Sequence, residues 1–199
     1  MLRLGLASAA SVAPLFVCGV AADAKPAVMS ETIKVSEVKA AQDAWCEALI
    51  TISKTHKKGG LAKSKPLAGE VIDAAYGYQF GPVAFKPTWA KGDVTFRDTR
   101  SGAVSYFVGD DPAFGDSGFA IGTPGAMRSP WVKCEPEIFV IQSFGTTANA
   151  MGWVHLEAAD GTTSKVEKPS ATCVMTRELY ASWCITPPHP LQGIDRRVG

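Results

Sequence analysis

Apolar positions recur at steps of three and four from residue 38 onward. Val38, Ala41, Trp45, Leu49 and Ile52 form one stripe, which predicts an amphipathic helix of about four turns. Ser36 is its expected N-cap and Glu37 the acid of its first turn, where the helix dipole favours negative charge. His56-Lys57-Lys58 followed by Gly59-Gly60 reads as a stop. Pro66 suits the start of a second helix carrying Leu67, Val71, Ala74 and Tyr78, which Gly81-Pro82 ends. Val83–Thr88 is expected to be extended or irregular. Thr99 caps a third, short helix through Val104, Tyr106 and Phe107, and Gly109-Asp110-Asp111-Pro112 closes it. A Gly- and Pro-rich loop then runs to about Pro130.

Beyond that loop the period falls to two. Trp131–Cys134 and Ile138–Ser143 read as strand segments separated by Pro136, which marks an edge or a bulge. Met151–Glu157 alternates, with Trp153 and His155 opposite Val154, and Asp160-Gly161 predicts a hairpin to Thr163–Lys168. Ala171–Met175 and Tyr180–Thr186 make the last pair, stopped by Pro187-Pro188-His189-Pro190. Helices followed by antiparallel strands predict an α+β fold. The natural packing lays the long helix across the concave face of a curved sheet, as a cone.

The N-terminus changes the accounting. Leu4–Val20 is an apolar stretch after Arg3, and Ala22-Asp23-Ala24 has the small-x-small form of a cleavage site. The expected organisation is a signal peptide at 1–24, a single domain at 25–190 and a mobile tail at 191–199. The implied localisation is a secretory route: periplasmic or extracellular in a bacterium, plastid or endomembrane lumen in an alga. The 199 residues carry a net charge of +1 with 46% hydrophobic and 20% charged positions. That balance argues against a nucleic-acid partner, and no membrane span is expected once the leader is removed.

The chemistry on offer is sparse. Cys18 falls in the leader; Cys46, Cys134, Cys173 and Cys184 form no C-x-x-C pair and are expected as buried thiols, with Cys173 and Cys184 able to face each other across a hairpin. His56, His155 and His189 are too dispersed to suggest a three-histidine zinc site. Asp93, Asp98, Asp110, Asp111 and Asp116 gather around the third helix, where caps and loops use acids more often than metals do. No P-loop, G-x-S-x-G or H-E-x-x-H is present. What stands out is hydroxyls in apolar company: Thr88 between Pro87 and Trp89, Tyr106 beside Phe107, and Tyr76 and Tyr78 on the second helix. Such groups need hydrogen-bond partners and often serve only the core.

The blocks Ala74–Thr88 (AAYGYQFGPVAFKPT), Thr95–Phe114 (TFRDTRSGAVSYFVGDDPAF) and Gly118–Gly122 (GFAIG) resemble the iota-class carbonic anhydrases, and Ala44–Ser53 and Ala150–Lys168 also look like that family. The resemblance spans about residues 38–190. It implies a nuclear-transport-factor-like cone resembling the calcium/calmodulin-dependent protein kinase association domain, a homodimer built sheet against sheet, and reversible hydration of CO2 to bicarbonate in a hydroxyl-lined pocket. It also implies metal-free chemistry, with zinc or manganese left open. Carried over, Thr88 and Tyr106 anchor bicarbonate or the attacking water, and Tyr78 is a further candidate for binding substrate. Trp131 and Ile138 are candidates for the dimer face or the core. The departure is at the end: where the family reads I-T-H-H-S-S-L-P, this chain reads Ile185-Thr186-Pro187-Pro188-His189-Pro190-Leu191-Gln192. His189 is then the proton acceptor left in that segment, and a weakened activity is implied. The competing reading is a non-catalytic cone that binds a small ligand or serves as an oligomerisation module.

Overall fold

The first helix, α1 (Val35–Ala75), begins two residues earlier than Ser36 as N-cap suggests. The Glu37 carboxylate accepts the backbone N–H of Lys34 at 2.7 Å, so Lys34 is the N-cap and Ser36 lies inside the first turn. The chain was expected to stop at Gly59-Gly60 and restart at Pro66. It instead resumes helix at once, and the only interruption is Gly60, whose φ of 62° and ψ of −160° bend the path in a way side-chain-bearing residues avoid. Pro66 thus lies within the helix. Ser64 donates to the Gly60 carbonyl at 3.2 Å and meets His56 Nδ1 at 3.0 Å, bracing the two arms across the break. The helix ends before Tyr78, which belongs to a separate tight turn, Tyr78–Phe80.

The structure, a computed structural model, describes residues 32–175 and 178–181. The 1–24 leader, the 191–199 tail, His189 and the Pro187–Gln192 segment lie outside these residues. Helix α2 (Arg100–Val108) is capped by the Thr99 hydroxyl, which accepts the Gly102 N–H at 3.3 Å, and closed by Gly109 at φ 71°. Everything from Gly102 to Val108 is buried, as befits a short helix that is apolar on all sides. Buried Arg97 reaches Asp116 at 2.8 Å, and the same carboxylate accepts the Ser105 hydroxyl of α2 at 2.8 Å.

Among the described residues five strands form one antiparallel sheet: β1 (Trp131–Phe144), β2 (Thr147–Ala158), β3 (Thr163–Glu167), β4 (Ser170–Met175) and β5 (Glu178–Ala181). The order runs β1-β2-β4-β5, with β3 also paired to β2 through the Asp160-Gly161 turn. The fold is therefore α+β. Strand β1 passes straight through Pro136 where two segments were expected; as an edge strand it tolerates the missing donor there. Its pairing slips near Trp131 and near Ile138. β2 starts at Thr147, earlier than the expected Met151.

Helix α1 packs across the sheet. Trp131, 1% exposed, donates its ring N–H to the Phe119 carbonyl at 2.8 Å, and its backbone N–H to Ser53 of α1 at 2.8 Å. It is therefore core and not a surface candidate, while Ile138 is half-buried. The free-thiol expectation also fails for two cysteines: Cys46 of α1 and Cys134 of β1 are joined as a disulfide, with their Cα atoms 5.3 Å apart. The side chains of Cys173 and Cys184 lie outside the described residues.

Candidate active site

Three separated stretches close around one small chamber. The first is the extended segment before Trp89. The backbone of Val83 bonds to Asp98 at 3.1 Å and that of Arg97 to Phe85 at 2.8 Å, which ties this segment to the start of α2. Pro87 keeps Lys86 extended and then turns the chain, with the Ala90 N–H on the Pro87 carbonyl. The second is α2, which presents Tyr106. The third is the end of β3. Together with Trp45 of α1 and Tyr76 at its C-cap they line about 40 Å³ of space. A water needs at least ~10–15 Å³ by this measure, so the chamber holds about three small molecules' worth of space.

Its walls are aromatic. Tyr106 stacks on Phe119 at 5.5 Å and meets Phe85 and Phe107 edge-on at 5.9 and 5.4 Å. Trp89 closes on Phe119 at 4.7 Å. Each such pair contributes about 0.5–1.5 kcal/mol beyond its buried area, so the walls are stiff as well as apolar.

The two hydroxyls have opposite roles. Thr88 Oγ1 donates to the Glu167 carbonyl at 3.0 Å, which spends its proton and leaves its lone pairs to accept. Tyr106 does the reverse. Its oxygen accepts the Trp89 backbone N–H at 3.4 Å, and the phenolic proton has no acceptor among the described residues. Tyr106 is 5% exposed, and burial pushes its ionisation well above the ordinary tyrosine range. It stays protonated and is a donor, never a base.

One wall residue escaped the sequence reading. Lys168 follows β3 with its backbone N–H on the Gly152 carbonyl at 2.9 Å, and its Nζ sits 4.3 Å from the centre of the Trp45 ring. The residue as a whole is half-buried, with its amine laid on the face of that ring. Loss of hydration lowers the pKa of that amine to about 7, against the pull of the Trp45 ring face, which favours the ammonium. Alternation gave a signal: Val166 points inward, so the residue two further on shares its face.

Of the predicted site residues, Thr88 and Tyr106 line this chamber and Tyr78 does not. Tyr78 stacks behind Tyr76 at 6.3 Å and spends its hydroxyl on the Arg97 carbonyl at 2.6 Å, while burial raises its pKa. His56 contacts Ser64 and has its pKa lowered, first by burial and then by Arg128. His155 pairs with Glu137 at 2.6 Å on the outer face of the sheet. Of the acids, Asp116 holds Arg97, Asp110 pairs with Lys65, and Asp111 caps its own turn. No group of three metal-ligating side chains converges among the described residues.

Comparison with known proteins converges on one family. A family model described as metal-independent carbonic anhydrase matches residues 36–176, ending before the Pro187–Gln192 stretch. The chain is 49% identical over 145 residues to a metal-independent carbonic anhydrase of Nostoc sp. (strain PCC 7120 / SAG 25.82 / UTEX 2576), covering 72% of this chain and 67% of that protein. Its fold is similar to the crystal structure of an iota-carbonic anhydrase from a cyanobacterium complexed with bicarbonate, with a TM-score of 0.70 and 43% identity over 80% of this chain and 98% of that one.

Proposed function

The chain belongs to the metal-independent carbonic anhydrase family, and we propose that the chamber between Thr88 and Tyr106 is where it hydrates CO2 to bicarbonate. The observation that carries this assignment is the complementary polarity of the two hydroxyls. Thr88, its proton already committed to Glu167, accepts the O–H of the attacking water or of bicarbonate. Tyr106, its oxygen held by Trp89, donates to the oxygen on which negative charge develops.

The reaction needs a water held in line with the carbon of CO2 and a site poor in competing water. A small chamber of about 40 Å³ with a stiff aromatic back wall supports both: it has room for CO2 and one water, and the rings behind them strengthen the hydrogen bonds made at their edge. The family works without metal, so positioning and hydrogen bonding take the place of a Lewis acid.

Two finer features accompany this reading. A homodimer packed sheet to sheet is supported by exposed apolar residues on β1 and β2, among them Phe139, Phe144 and Met151. A secretory address is supported by the Cys46–Cys134 bond, since disulfides persist in oxidising compartments. The cone description of the sheet also belongs to this reading.

Stopped-flow CO2 hydration by the purified full chain, with and without a chelator, tests the function. Hydration that survives the chelator is the expected result. A flat trace from folded protein would overturn the assignment and return the chain to the small-ligand module.

A further inference from the structure

Hydrating CO2 releases a proton, and the two hydroxyls cannot take it. Tyr106 is a committed donor, and Thr88 has no accessible basic form. The groups that face the chamber from each packed element are few. Tyr76 and Trp45 come from α1 and Tyr106 from α2. Lys86, on the extended segment, is exposed at the mouth, and Glu167 on β3 is exposed with its backbone carbonyl occupied by Thr88. Lys168 remains. Its amine lies against the Trp45 ring, and no hydrogen bond or ion pair holds it among the described residues.

We propose that Lys168 is the proton acceptor for the water that attacks CO2 in this chamber. The inference rests on the pocket assignment above. The water oxygen bonds to the carbon of CO2 as one water O–H bond breaks, and its proton goes to the lone pair of Lys168 Nζ. The electron pair of one C=O bond moves onto oxygen, where Tyr106 donates to it. The products are bicarbonate and the Lys168 ammonium, side by side as an ion pair. The ammonium then passes its proton to buffer at the mouth, which restores the neutral amine and releases bicarbonate. Packing against Trp45 at the chamber wall removes part of the amine's hydration and brings its neutral form within reach near neutrality, which suits both directions of the reaction.

The test compares wild type with Lys168→Met and Lys168→Arg. In wild type, kcat/KM for hydration is expected to rise through an inflection near pH 7. Lys168→Met is expected to lose roughly 10²–10⁴-fold and the inflection with it, with partial rescue by imidazole or small amines supplied in the buffer. Lys168→Arg keeps the cation but cannot release its proton, so it should retain bicarbonate binding, followed by 13C NMR, while hydration falls. Circular dichroism establishes that each variant is folded. A readout independent of turnover is competitive acetylation with mass spectrometry, in which Lys168 should become reactive several pH units below the exposed lysines. Wild-type turnover matched in rate and profile by Lys168→Met, or a Lys168 that titrates with the surface lysines, overturns this inference alone. So does formation of a stable Lys168 carbamate under 13CO2. A wild-type chain silent at every pH overturns the pocket assignment and this inference together.

Discussion

The Tyr106 hydroxyl takes the backbone N–H of Trp89 onto its oxygen, so the residue beside Thr88 orients the ring hydroxyl facing it. One peptide unit thereby couples the two halves of the chamber. Tyr106→Phe removes the phenolic proton and leaves a single N–H without its partner. Hydration is expected to fall roughly 10²–10³-fold, with a stability loss of about 1 kcal/mol. Stopped-flow rates beside a denaturant titration check both, and unchanged turnover would remove Tyr106 from the site.

Thr88 is defined by what its proton is bonded to. Thr88→Val keeps the shape but loses the bond to Glu167 and the accepting oxygen, so kcat should drop about 10²-fold. Thr88→Ser retains the hydroxyl and should stay within a few-fold of wild type. Equal losses in both variants would point to packing by the Thr methyl, not to the hydrogen bond.

Lys168 should make folding sensitive to pH in a particular direction. Its folded value of about 7 lies below the ordinary 10.5, so between those limits the unfolded chain holds a proton that the folded one does not. Wild-type stability should therefore climb as pH rises from about 7 towards 10. Lys168→Met should flatten the climb and be the more stable protein at pH 6. Urea titrations at pH 6 and 9.5 measure the difference, and parallel pH responses of the two proteins would contradict the lowered value.

The Cys46–Cys134 bond closes a loop spanning 88 positions. Its reduction should cost roughly 2–5 kcal/mol, which is about 5–20 °C in melting temperature for a domain of this size. Thermal unfolding with and without dithiothreitol reads it. Because Cys46 adjoins Trp45 on the chamber wall, turnover should fall at temperatures where the reduced protein is still folded.

Much of this architecture was legible in local pattern. Thr99 announces α2 because a hydroxyl cap bonds within its own turn, and Asp160-Gly161 announces the hairpin because the turn closes on itself, with Gly161 supplying its left-handed residue. What could not be read depends on distant partners. Gly60 bends the helix where two glycines and basic residues looked like an end, because helix on either side packs on the same core. Cys46 and Cys134 meet only through α1 crossing β1. The site divides the same way. Thr88 and Tyr106 were visible as hydroxyls in apolar sequence, helped by a family resemblance. Tyr78 looked equivalent but is turned to the Arg97 carbonyl once α1 ends before it. Lys168 looked like any charge at the end of a strand, because its character comes from Trp45, contributed by a helix at the other end of the domain.

The small volume of the chamber sets the range of molecules that can be used to follow the enzyme. About 40 Å³ suits a triatomic gas and its nucleophile, whereas an aryl ester, the convenient chromogenic stand-in for CO2, carries a bulky ring that the narrow space lined by Phe85, Tyr106 and Phe119 is poorly shaped to take. A colourless ester assay is therefore no measure of CO2 hydration by this protein. Its turnover has to be followed through the proton or the carbon itself.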